Sequence, residues 1–131
     1  MMLISRLHHV AIITSKYSEA KHFYSKVLGL KIISEIYREE RDSYKLDLQL
    51  PDGTQIELFS FPNPPPRPSQ PEACGLRHLA FGVENLDFSI NEIIKQGVVV
   101  EPVRVDPLTG KRFTFFPDPD GLPIEFYEIN H

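Results

Sequence analysis

The chain of 131 residues holds a single cysteine, Cys74, so no intrachain disulfide can form. That usage leads us to expect a reducing compartment, the cytoplasm. Nowhere does an apolar run approach the ~20 residues a helix needs to cross a bilayer. Residues 1–6 lack the long apolar core of a secretory leader, and no membrane partner is expected. The net charge is −4 and no basic stripe stands out, so nucleic acid is not an expected partner either. There is no G-x-x-x-x-G-K phosphate loop, no G-x-G-x-x-G fingerprint and no G-x-S-x-G elbow. Nucleotide binding, dinucleotide chemistry and serine hydrolysis thus lack their usual starting motifs. Cys74 has no group beside it in sequence to activate it and reads as inert.

What is present is ordinary in bulk and unusual in arrangement. A hydrophobic fraction of 41% and a charged fraction of 24% fit a soluble globular chain, and the length fits one domain with a core of its own. Proline is plentiful, and six of the twelve prolines lie between Pro62 and Pro71. Such a stretch can be neither helix nor central strand. It reads as an extended linker over residues 62–74, between a first module at about residues 5–61 and a second at about 75–130.

The two modules repeat each other. L-H-H-V-A-I, from Leu7, aligns with L-R-H-L-A-F, from Leu76; P-D-G-T-Q-I-E-L-F, from Pro51, aligns with P-D-G-L-P-I-E-F-Y, from Pro119. Two matches at nearly one offset point to duplication. Each module shows the same periodicities. Strands are expected at residues 8–14 and 78–83, followed by helices at 18–28 and 86–95 with Gly29 and Gly97 as their stops. The helices carry apolar stripes of Ala20, Phe23, Val27 and Leu30, and of Phe88 or Ser89, Ile90, Ile93 and Ile94. Further strands are expected at 30–37, 44–50 and 55–61, and at 98–105, 112–116 and 124–129, with Pro-Asp-Gly turns before the last strand of each set. The expected fold is α+β, a βαβββ module used twice.

Four ligand-type residues fall at matched places. His9 and His78 stand on the opening strand of each module, and Glu57 and Glu125 on the closing one. Each glutamate lies between two apolar residues and so points away from them. A carboxylate in such a strand must face water or find a partner or a metal. A lone strand histidine is ordinarily structural, and a lone strand glutamate ordinarily solvated. Recurrence of both at equivalent positions favours one divalent cation held by two imidazoles and two carboxylates. His8 has Arg77 as its counterpart and is expected on the other side of the sheet. His22 is expected on the exposed side of the helix, and His131 to be mobile at the chain's end. R-E-E-R, residues 38–41, reads as a solvated loop or hairpin near a pocket mouth.

These segments resemble the vicinal oxygen chelate superfamily, and most of all its glyoxalase I branch. F-Y-S-K-V-L-G-L, from Phe23, G-L-R-H-L-A-F, from Gly75, and D-P-D-G-L-P-I-E-F, from Asp118, carry the likeness along with L-H-H-V-A-I. The resemblance implies paired modules curling into a half-barrel around a metal, here zinc, nickel, cobalt, manganese or iron. It implies His9, Glu57, His78 and Glu125 as the ligands, Glu125 as the base that removes a proton beside a carbonyl, and Glu57 as its alternative. It further implies a lyase or isomerase acting through an enediolate on a 1,2-dicarbonyl thiol adduct or an α-hydroxy carbonyl, in a homodimer. Thiol transfer of the fosfomycin-resistance type, epimerisation, and binding of a drug or metabolite without catalysis are the alternatives in the same superfamily. Glyoxalase I proteins carry an arginine four residues after the first metal histidine, where this chain has Ile13. An aliphatic side chain cannot replace that fork, leaving Lys111 or Arg112 as substitutes.

Overall fold

A computed structural model describes residues 1–130; His131, expected to be mobile, lies outside the described residues. The chain divides into two compact units, the first Met1–Pro66 and the second starting at Arg67.

In the first unit β1 (His9–Thr14) leads into α1 (Tyr17–His22), which continues as π-helical turns over Phe23–Val27. β2 (Lys31–Arg38), β3 (Ser43–Gln49) and β4 (Gln55–Ser60) follow, giving a sheet of order β1-β4-β3-β2 with β1 parallel to β4. The second unit repeats this with β5 (Leu79–Val83), α2 (Leu86–Lys95), β6 (Arg104–Val105), β7 (Arg112–Pro117) and β8 (Pro123–Glu128), in the order β5-β8-β7-β6. The α+β class and the doubled βαβββ pattern are therefore both present.

Alternation decides which face is packed. Leu46 and Leu48 of β3 and Ile56 and Leu58 of β4 are almost wholly buried, together with Ala20, Phe23 and Tyr24. Each such aliphatic side chain contributes about 1.5–3 kcal/mol by leaving water. The other face of the same strands presents Lys45, Asp47 and Glu57, with Asp47 paired to Glu57 and Lys45 to Phe59. Likewise Phe116, Ile124 and Phe126 are buried in the second unit, with Leu86 and Ile93 from α2. Phe88 and Ile94 are exposed, while Ser89 and Ile90 are half-buried, so the inward stripe of α2 runs through Leu86, Ser89, Ile90 and Ile93, with Ser89 rather than Phe88 of the two expected alternatives.

The expected third-last strand of the second module, residues 98–105, shrinks to two residues. Pro102 has no N–H to give a ladder, and only Glu101 N–H reaches across, to Phe115 O at 3.0 Å. The first helix keeps its expected span but loses α geometry from Phe23 onward. Leu28 N–H bonds Phe23 O, and Leu30 N–H reaches back to Tyr24 O past Gly29, a glycine at φ +77°.

Candidate metal centre

Both histidines enter the sheets through the same short motif, His-x-Ala. Ala11 is the register partner of Glu57, and Ala80 that of Glu125. Each alanine leaves space above its neighbour's carboxylate, and the histidine two residues earlier on the same side occupies it. His9 Nε2 lies 3.6 Å from Glu57 Oε2, and His78 Nε2 lies 3.1 Å from Glu125 Oε1. The four expected ligands are thus brought together two by two, one pair in each unit. Among the described residues, no group of three or more His, Cys, Asp or Glu side chains gathers at one point.

The donor chemistry fits a divalent cation. Bonds of about 2.1 Å put neighbouring ligand atoms about 3.0 Å apart at octahedral angles and about 3.4 Å apart at tetrahedral ones. Of the two observed separations, 3.1 Å falls within that range and 3.6 Å lies slightly above it. In both pairs the nitrogen nearest the carboxylate is Nε2. The other nitrogen of His9, Nδ1, is 3.0 Å from Nδ1 of His8. This corrects the expectation that His8 faces away: it precedes β1, so strand alternation does not govern it, and its ring sits edge-on to His9. A contact of this kind orients a ligating imidazole.

The two pairs differ in surroundings. Beside Glu57 stand Asp47 and Lys45, whose ammonium is 2.8 Å from Asp47 and 4.0 Å from Glu57. Beside Glu125 stands Phe115, its register partner, which packs edge-on against His78 at 5.1 Å. The Glu125 side chain is 11% exposed, the more enclosed of the two carboxylates. Each unit also lays an arginine on a phenylalanine near the pair. Arg38 lies 4.9 Å over Phe59, and Arg104 lies 5.2 Å over Phe115. In the second unit a cavity of about 300 Å³ opens beside His78, with Phe115, Arg104 and the linker residues from Arg67 onward as walls.

Sequence reasoning missed Lys45, Asp47, Phe115, Arg67 and Arg104. Alternation did place Lys45 and Asp47 opposite Leu46 and Leu48, but their closeness to Glu57 depends on the register of β3 against β4. R-E-E-R is only partly solvated: Arg38 turns back onto Phe59 and donates to Ser43, while Glu39 and Glu40 are exposed. Arg112 is not free to hold a substrate carboxylate. Its guanidinium is paired with Glu128 and Asp87, and those carboxylates hold its pKa above the ordinary arginine value. Glu128 also points to the face opposite Glu125. Lys111 donates to the backbone oxygen of Asn130. His22 is exposed, as expected of it, and Cys74 is exposed too. No helix among the described residues is long and apolar enough to cross a membrane.

Comparison with known proteins shows which family and fold the chain shares. The model of the Glyoxalase/Bleomycin resistance protein/Dioxygenase superfamily matches residues 6–126. The uncharacterized protein YwkD of Bacillus subtilis (strain 168) is 59% identical over 97% of this chain and 99% of its own. A 2-epi-5-epi-valiolone epimerase from Actinomyces sp is 26% identical over 94% of this chain and 79% of its own. The crystal structure of a glyoxalase family protein from Enterococcus faecalis superposes with a TM-score of 0.90, at 48% identity, covering 97% of this chain and 100% of that one.

Proposed function

We propose that this chain, which belongs to the Glyoxalase/Bleomycin resistance protein/Dioxygenase superfamily, is a metal-dependent lyase or isomerase of the glyoxalase I type. Its substrate would be a small 1,2-dicarbonyl thiol adduct or an α-hydroxy carbonyl. One observation carries the reading: two modules, equivalent in sequence and topology, each set a histidine Nε2 beside a glutamate oxygen, at 3.6 and 3.1 Å, close to the spacing of neighbouring ligands. A divalent cation held by His9, Glu57, His78 and Glu125 would supply Lewis-acid polarisation of two adjacent substrate oxygens. Two imidazoles and two carboxylates accommodate zinc, nickel, cobalt, manganese or iron.

The chain's own groups would then handle the proton. Glu125 is the base: its carboxylate is the more enclosed, with Phe115 as its register partner. Removing a proton from carbon beside a carbonyl with a placed base contributes about 10²–10⁴ in rate. Glu57, on the equivalent strand of the other unit, is the second acid–base group, with the Lys45 ammonium 4.0 Å away. The assembly is proposed as a homodimer.

Epimerisation is the second reading, favoured by Ile13 in the place of the thiol-binding arginine and by the epimerase relative. It uses the same proton removal and returns the proton to the opposite side. One experiment separates the readings. Metal-loaded protein is incubated in D₂O with methylglyoxal and a panel of low-molecular-weight thiols, and separately with α-hydroxy ketones, and products are followed by NMR. A rearranged hydroxyacyl thioester supports the lyase. Deuterium at an inverted carbon supports the epimerase. Saturable binding without exchange of any proton supports a binding protein and overturns both. Glu125→Gln should lower turnover at least about 10²-fold with the fold intact; undiminished turnover removes Glu125 as the base.

A further inference from the structure

The cavity beside His78 is rich in arginine, and its charges are not evenly matched. Arg67, Arg77 and Arg104 line it with Glu72 and Glu101. Arg77 is engaged by Glu72 at 2.6 Å, and Arg104 by Glu101 at 2.9 Å. Among the described residues Arg67 is paired with no carboxylate. One of its terminal nitrogens, Nη2, donates to the backbone oxygens of Leu76 and Arg77 at 2.7 and 2.9 Å. Its Nε is buried and has no hydrogen-bond partner among the described residues. Neutral carbonyls fix the guanidinium in place without cancelling its charge. A buried donor with no acceptor is unfavourable, and a guanidinium presents its donors in a fork suited to oxyanions.

We infer that this cavity is an anion subsite, in which Arg67 holds a carboxylate or phosphate group of the substrate whose reacting end lies at His78 and Glu125. The inference rests on the proposed metal site for its second half only. The substrate class narrows accordingly, to an α-hydroxy or 1,2-dicarbonyl compound carrying an oxyanion on the same small molecule. About 300 Å³ is at the small end of ligand pockets and suits a metabolite of that size. Phe115 forms an apolar wall between the two ends, since it lines the cavity and touches the His78 ring. Arg104, stacked on Phe113 and Phe115, holds that wall. The proline-rich linker, read from sequence as a mere spacer, would thereby supply the specificity residue.

Two measurements test this. The first uses metal-loaded protein and two ligands with one chelating end, 5-hydroxy-4-oxopentanoate and its methyl ester, with dihydroxyacetone phosphate against dihydroxyacetone as the phosphate arm. Calorimetry should show an anion bound about tenfold more tightly than its neutral partner, the size of one charge-assisted contact. Arg67→Gln should erase that preference while leaving the neutral ligand's affinity and the metal content unchanged. Equal affinities in the unaltered protein, or a preference that survives Arg67→Gln, would overturn the subsite. The second measurement is independent of metal. Acetate and inorganic phosphate are titrated into chelator-treated protein while arginine Nε–H resonances are followed, with Arg67→Lys used to assign the Arg67 signal. Saturable movement of that signal, also in His78→Ala protein, supports the subsite even if metal analysis rejects the metal site. A stationary Arg67 signal rejects the subsite even if metal is bound, and leaves Arg67 as a clamp on the linker backbone.

Discussion

Glu57 and Glu125 are the same residue at the same place in two copies of one module, yet they meet different neighbours. Lys45 and Asp47 flank the first, and an aromatic ring flanks the second. This asymmetry is why Glu125 is assigned the base. At this scale the histidines carry the clearest prediction. His9→Ala and His78→Ala should each abolish stable metal binding, measured by elemental analysis of protein purified without chelators. Full occupancy in either variant would count against its place in the ligand set. Glu35 provides a pH prediction. Hydrogen bonds from Lys21, first, and Tyr17 hold its carboxyl below the usual range. A lowered carboxyl pKa stabilises the fold above the unfolded value of about 4.3 and loses that contribution as pH falls through the folded value. The acid limb of a stability–pH curve should therefore flatten in Glu35→Gln protein relative to the unaltered chain, and an unchanged limb would show the pair to be inert.

The helices illustrate how local signals hold at the level of an element. α2 opens at Asn85, whose side-chain oxygen accepts from Phe88 N–H at 3.0 Å. Replacing that cap should cost about 1 kcal/mol, so Asn85→Ala is expected to lower the urea midpoint with an unchanged slope and undisturbed metal content. A drop in metal content would tie α2 to the site more closely than its position predicts. α1 lacks a side-chain cap, and its C-terminal half adopts π-helical turns. Its order comes from burial of Ala20, Phe23 and Tyr24 against the sheet. Propensity alone could not report that change of winding, because the apolar spacing of the two kinds of turn is nearly the same over five residues. β6 is the converse case: a run rich in valine promised a long strand, and Pro102 left two residues of it.

On the scale of the molecule, the proposed four-ligand site would require the two half-sites to combine, either within one chain or between two copies. Complementation distinguishes these arrangements. A mixture of His9→Ala and His78→Ala chains, unfolded together and refolded, leaves every site defective if each lies within one chain. If a site joins the first unit of one copy to the second unit of another, mixed dimers contain one intact site. Partial return of metal binding is the result expected of a site shared between two copies, and its complete absence the result expected of a site within one chain. The Arg67 subsite belongs to the second unit alone and should be unaffected by that outcome.

Several features could be read without coordinates because they are periodic or repeated. The duplication, the α+β class, the Pro-Asp-Gly turns and the alternation that turns Glu57 away from Ile56 and Leu58 all follow from local spacing, and spacing is written along the chain. So is the equivalence of His9 with His78, which the His-x-Ala motif carries. Only the tertiary structure could decide which side chains stand beside them. Lys45 reaches Glu57, Phe115 braces His78 and Arg67 stays without an acidic partner among the described residues through strand register and the path of a linker. Those are set by packing between residues distant in sequence. Arg112, Arg104 and Arg67 look alike as letters; the fold gives the first two carboxylates and leaves the third with backbone carbonyls, and charge left unmatched in this way is a property of position in space.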